Sequence, residues 1–147
     1  MRRSVVIGLL AAAVAAVFAA PLVAAAWGLG AWPLYAAFSW ICHQRPERSW
    51  HLAGYPLAVC VRCLGVYLGA LAGAVAGRPF SRRSALAAAA VLAGEWLAEA
   101  AGLAGSPEGV RFATGLSAGF FLIPGTWSEQ KGFRTRIWEV EREEVQV

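Results

Sequence analysis

Charge is scarce in this chain. Asp, Glu, Lys and Arg make up 15% of 147 residues, and they avoid several long windows. An ordinary soluble domain carries about 25% charged residues, so a soluble globular surface is not expected. The formal net charge of +4 has no basic face with interleaved aromatics behind it, which removes the reason to expect a nucleic-acid partner. No hydrolase triad, phosphate-binding loop or dinucleotide fingerprint occurs, so those enzyme classes find no support. Cysteine and histidine are equally few, at three and two.

What is present is apolar. Hydrophobic residues reach 59% and the mean hydropathy is +0.54, the profile of a small polytopic membrane protein. The length allows at most one domain of ordinary size. The expected fold is all-α: one transmembrane domain over residues 1–125, with four spans at about 4–26, 56–77, 84–105 and 108–124, and a polar cytoplasmic tail over 126–147. A short interfacial helix between Trp27 and Ile41, rich in aromatics and opened by Pro33, would lead into a Cys/His loop over 42–63.

The first run follows Arg2 and Arg3 and resembles a signal peptide in charge and in its Ala-rich sites. It is longer than a signal core of about 7–15 residues, which favours a retained span, kinked at Pro21. Gly65, Gly69, Gly73 and Gly77 recur every fourth residue on one face, a spacing that lets membrane helices approach closely. That face serves internal packing or leaves room for a homo-oligomer. Glu95 and Glu99 share one face of the third run, and carboxylates at membrane depth need partners. Ser106-Pro107-Glu108 is a strong helix start. Arg111 follows it and could pair with Glu108 locally, or with Glu99 or Glu95 across the helix interface; of these, an approach between Glu95 and Arg111 is expected. Gly115 and Gly119 form a second close-packing pair. The tail fits both strand and helix periods and is expected to be solvated.

Topology follows from charge. With the N-terminus inside, four spans place Arg2, Arg3, Arg78, Arg82, Arg83, Lys131, Arg134, Arg136 and Arg142 in the cytoplasm. Arg45, Arg48, Arg62 and Arg111 fall on the other side. That asymmetry obeys the positive-inside rule. It predicts an inner-membrane, multi-pass protein in the lipid bilayer, with both termini cytoplasmic and the Cys/His loop facing outward.

All three cysteines and both histidines lie between Cys42 and Cys63. Cys42, His43, Cys60 and Cys63 form a Cys₃His set, suited to one zinc or a similar transition-metal ion. Their donor atoms should cluster within about 4 Å, with His51 outside. Arg45, Arg48 and Arg62 could offset thiolate charge, and Tyr67 lies one turn beyond Cys63. If His43 is not a ligand, the open position would permit catalysis or transport. Two other readings stay open. Cys60 and Cys63 also have redox-pair spacing, so a membrane thiol–disulfide oxidoreductase with Cys42 as the exchanging thiol is one. A structural or partner-binding membrane protein with packed cysteines is the other.

Cys42-His43-Gln44-Arg45-Pro46-Glu47-Arg48-Ser49 and Cys60-Val61-Arg62-Cys63-Leu64-Gly65-Val66-Tyr67 resemble the two motifs of a prokaryotic membrane-protein family, domain of unknown function 2085. Its members look like small multi-span proteins carrying Cys-His-Gln-x-x-x-Arg-Ser and then Cys-x-Arg-Cys-x-Gly-x-Tyr. Arg111-Phe112-Ala113-Thr114-Gly115 resembles the Arg-x-x-Thr-Gly that opens the family's last span. The resemblance covers about residues 33–125. It implies a membrane location and no particular activity. Where family members often carry Asp in the third span, this chain offers Glu95.

Overall fold

A computed structural model describes residues 3–77, 81–103 and 105–121. The expected tail and the last residues of the fourth run lie outside the described residues.

After Arg3 the chain has no charge until Arg45 and is dominated by Ala, Val and Leu. It forms helix α1, Arg3–Trp27, with Pro21 inside it. Val17, Ala20, Pro21 and Ala24 are buried, a helical spacing that marks one inward stripe. Val5, Leu9, Phe18 and Leu22 leave apolar surface exposed on the rest of the helix. Gly28 takes a positive φ of 55°, which glycine adopts without strain. It opens a 3-10 turn, Gly28–Ala31, and α2, Trp32–Ser39, follows with proline in its first turn. Among the described residues, the stretch Arg3–Ser39 is the one helical run long and apolar enough to cross a membrane, with a mean hydropathy of 2.6.

The loop after α2 is more ordered than its polar composition suggested. Pro46–Arg48 is a 3-10 turn, closed by the buried Ser49, whose hydroxyl donates to the Arg45 carbonyl at 3.0 Å. Then β1, His51–Leu52, pairs antiparallel with β2, Tyr55–Pro56. Ala53 and Gly54 both take positive φ, 52° and 83°, the signature of a tight hairpin turn. Among the described residues the fold is mostly helical, and this hairpin corrects the all-α expectation. The hairpin also delays the second helix. Leu57 N–H donates to the Trp50 carbonyl at 2.8 Å, so α3 runs Val61–Ala76 rather than from residue 56.

Cys60 is the N-cap of α3 and Gly77, at φ 62°, its C-cap. The Arg3 guanidinium donates to the Ala74 carbonyl at 2.9 Å and to that of Val75, satisfying carbonyls that a helix end leaves orphaned. The start of α1 therefore meets the end of α3. Helix α4, Arg82–Ala100, is capped by Ser81, whose hydroxyl accepts from Ser84 N–H at 3.1 Å. It closes at Ala100, short of the expected 105, and the chain turns at Gly102 with φ 71°. Residues 108–121 form α5.

The glycine stripes are used inside the chain. A Cβ on Gly65 or Gly69 would collide with the α5 backbone at Phe112, Gly115 and Leu116. A Cβ on Gly115 or Gly119 would collide with the α3 backbone at Arg62 and Val66. The two helices thus touch main chain to main chain. The core lies at the cysteine end of the fold. Val17 and Ala20 of α1, Phe38 of α2, Cys42, Leu57, Ala58, Val59 and Leu64 form one buried cluster.

Candidate metal centre and arginine–carboxylate cleft

Cys42 leaves α2 with its N–H bonded to the Phe38 carbonyl at 2.9 Å. Two residues later Gln44 takes a positive φ of 48°, unusual outside glycine. Its side-chain amide donates to the Tyr35 carbonyl at 2.6 Å and the Ala58 carbonyl at 2.7 Å. Tyr35 Oη donates to the Pro56 carbonyl at 2.6 Å. These three bonds tie α2 to the segment preceding α3 and bring Cys42 over Cys60.

The sulfurs of Cys42, Cys60 and Cys63 all lie within 4.8 Å of one another, and none is in a disulfide. Three cysteines are thus positioned to hold a metal ion. The Cys42 sulfur accepts backbone N–H bonds from Cys60 at 3.2 Å and Gln44 at 3.5 Å. Hydrogen bonds from the Cys60 and Cys63 thiols, reinforced by those two amides, pull the Cys42 thiol down to about 2 against the opposing effect of burial. The donors around Cys42 thus favour its thiolate, the form that binds metal and attacks disulfides. Of the expected donors, His43 is the one left out of the trio. It is exposed. It lines the cleft onto which the trio opens, between the buried Cys42 and the clamped Gln44. His51, at the exposed start of β1, also stands outside. Tyr67 packs beside the trio and meets Phe38 edge-on, ring centroids 6.0 Å apart.

Arg62, between the two α3 cysteines, points across to α4. It binds Glu95 through two bonds of 3.1 and 2.7 Å and Glu99 through one of 2.8 Å. Glu99 also takes Arg111 at 2.6 Å and Arg48 at 3.0 Å. Glu95 also accepts from the Thr114 hydroxyl at 3.0 Å. Both carboxylates are about nine-tenths buried, with 9% and 10% of their side chains exposed. The expected Glu95–Arg111 pair is corrected: Arg111 goes to Glu99, and Glu95 goes to Arg62 and Thr114. The reason is helix placement. Close contact of α3 with α5 brings Arg62 beside Arg111, and the carboxylates one turn apart on α4 divide between them.

The trio and this network face one cleft of about 530 Å³, lined by His43, Gln44, Arg45 and Trp96 besides the cysteines and the ion pairs. Arg45 is exposed and makes no ion pair among the described residues. Trp50 ties the hairpin to α5 through Glu108 at 3.0 Å and stacks at a tilt on Phe112. Sequence reasoning gave no role to Gln44, Ser49 or Thr114. Their place in the motifs was the available signal.

The profile of a family described as a predicted membrane protein, domain of unknown function 2085, matches residues 42–124. That interval contains the trio, Gln44 and every member of the arginine–carboxylate network. An uncharacterised protein of Methanocaldococcus jannaschii is 36% identical over 100 residues, which is 61% of this chain and 64% of that protein. An uncharacterised protein of Methanothermobacter thermautotrophicus is 52% identical over 33 residues, 22% of this chain and 30% of that protein. The matched stretch spans less than two thirds of either relative. No solved structure matches the chain. With both motifs folded into one site and more than half the chain matched, this chain belongs to the predicted membrane protein family of domain of unknown function 2085.

Proposed function

We propose that this is a four-span inner-membrane protein that holds one zinc-class ion at its extracytoplasmic face through Cys42, Cys60 and Cys63. The observation that carries the metal reading is the convergence of three unbridged sulfurs within 4.8 Å. Thiolates are ligands for zinc and similar ions, and amide N–H groups aimed at sulfur favour the thiolate. The trio supplies three ligands of a tetrahedral set. A fourth ligand would come from the cleft the trio lines, which also holds His43; left to a water or substrate, that position would suit a site that acts on a ligand rather than only bracing a fold.

In this reading α1, α3, α4 and α5 cross the bilayer and α2 lies at its outer boundary. The charge asymmetry supports both termini being cytoplasmic. The contact between Arg3 and the end of α3 agrees with it, because those two ends then share a side. Helix α3 has 16 residues, about 24 Å, against a hydrocarbon core of about 30 Å. Local thinning of the bilayer accommodates a short span at modest cost.

The test is elemental analysis of the detergent-purified full chain, with free thiols counted on the same sample. One metal per chain, lost in Cys42→Ser, Cys60→Ser and Cys63→Ser and kept in His43→Ala, is the expected result. Loss in His43→Ala as well would make the site a closed Cys₃His set. No metal and one free thiol would replace the metal reading with thiol–disulfide exchange, which the ionised Cys42 sulfur also suits.

A further inference from the structure

The cleft shared with the sulfurs carries a second chemistry. Arg45, Arg48, Arg62 and Arg111 line it, and Glu99 is the one carboxylate among the lining residues. Glu95 neutralises part of Arg62 from behind. Four guanidinium groups therefore face two carboxylates. That leaves an excess of positive charge, which one divalent ion on three thiolates would reduce but not cancel. We propose that this arginine wall is a seat for a phosphate-bearing anion, which the Glu99 carboxylate occupies from within the chain.

The geometry around Glu99 has the form of an anion site. Its two oxygens accept hydrogen bonds from Arg62 and Arg111 at 2.8 and 2.6 Å and form an ion pair with Arg48 at 3.0 Å. Those arginines come from three elements: the 3-10 turn, α3 and α5. Each guanidinium carries five N–H donors in a fixed fork, far more than two carboxylate oxygens can use. One surplus donor is directly visible: Arg111 Nε is buried with no partner among the described residues, and a buried donor without an acceptor is costly. A planar carboxylate is met by one or two forks in its own plane. Donors arriving from three elements suit a tetrahedral oxyanion, and guanidinium pairs with phosphate in bidentate fashion. The cleft, at about 530 Å³, is the size of a small-molecule site. Its Ile41 and Trp96 walls are 68% and 56% exposed, an apolar rim fit for the stem of an amphiphile. This seat goes beyond the metal reading and does not depend on it.

The test uses the full-length chain in detergent, titrated in one arm with inorganic phosphate by calorimetry. In a second arm, native mass spectrometry follows adducts of phosphatidylglycerol, a net anion, against phosphatidylcholine, which is net neutral. Metal content is assayed on every sample, so that failure of the metal reading leaves this result interpretable. Arg45→Gln touches no ion pair among the described residues, and it should weaken binding about ten-fold. Arg48→Gln should do the same. Glu99→Gln should strengthen binding, because the internal occupant loses its charge while keeping its shape; a purely structural network predicts no such gain. Phosphatidylglycerol bound in preference to phosphatidylcholine identifies a lipid head group. Free phosphate bound equally well identifies a soluble phosphate compound. Binding by neither the natural chain nor Glu99→Gln, or binding indifferent to Arg45 and Arg48, overturns the proposal.

Discussion

Gly115→Ala should weaken the fold out of proportion to one added methyl group. An ideal Cβ at Gly115 lies 3.1 Å from the Arg62 carbonyl carbon and 3.2 Å from Val66 N, and nearer still to the Arg62 oxygen. Ordinary carbon contacts sit at about 3.5–4.0 Å, and the atoms in the way are backbone, which cannot swing aside. The helices α3 and α5 must separate by some tenths of an ångström or more. That opens the other three glycine contacts and draws Arg62 away from Glu95. Overpacking of this kind costs about 1–3 kcal/mol. Gly94→Ala is the matched control: Gly94 lies inside α4 with nothing within 4 Å of its Cβ. There the change should be neutral or stabilising by up to about 1 kcal/mol, the helix-propensity gain of Ala over Gly. Thermal or denaturant unfolding of the purified chain in one detergent compares the two directly. If Gly115→Ala unfolds at or above the natural midpoint while Gly94→Ala behaves as stated, the close helix contact is not there.

The division of the carboxylates can be tested by charge exchange. Arg111→Glu should reduce folded yield, and adding Glu99→Arg should restore part of it, whereas adding Glu95→Arg should not; equal rescue by both would dissolve the assigned pairs. In metal-stripped protein the Cys42 thiolate should persist as one equivalent of thiolate absorbance between about pH 5 and 8, and Cys42→Ser should remove it. An ordinary thiol ionises near 8.5, so the lowered Cys42 value sets a sign: its contribution is fully present above about pH 8.5 and is lost progressively as pH falls, while the raised Cys63 thiol works the other way only as pH climbs past about 8.5. A metal-stripped sample whose stability rises on acidification would contradict the assignment. Reporter fusions at Ser81 and in the tail should both read cytoplasmic; an outward signal at either would overturn the proposed topology.

The trio was legible in the sequence because three cysteines in a chain with no others fell at helix-start spacing. The glycine stripes were legible because a period of four on an apolar helix has few other uses. The hairpin was not, since its turn is Ala53-Gly54 rather than Asn-Gly and its strands are two residues each. His43 stands beside the trio in the same cleft rather than within it, a placement that adjacency to Cys42 in sequence does not fix. Arg111 was paired with Glu95 by nearness in sequence. The true partners were set by a tertiary fact, the backbone contact of α3 with α5, which places Arg62 from a distant element between the carboxylates and Cys63.

The Gln44 clamp changes what filling the metal centre would mean for the chain. In a zinc finger the ligand loops are loose until the ion arrives, so binding and folding are one event. Here the loop between Cys42 and Cys60 is already closed by the amide bonds to Tyr35 and Ala58, by the Ser49 bond and by the hairpin. Its closure entropy is met by the protein's own hydrogen bonds. An ion could then leave and return without a refolding step, and its exchange rate would be set by access through the cleft. Such a centre keeps its shape whether filled or empty, because the receptacle stands on the protein's own hydrogen bonds.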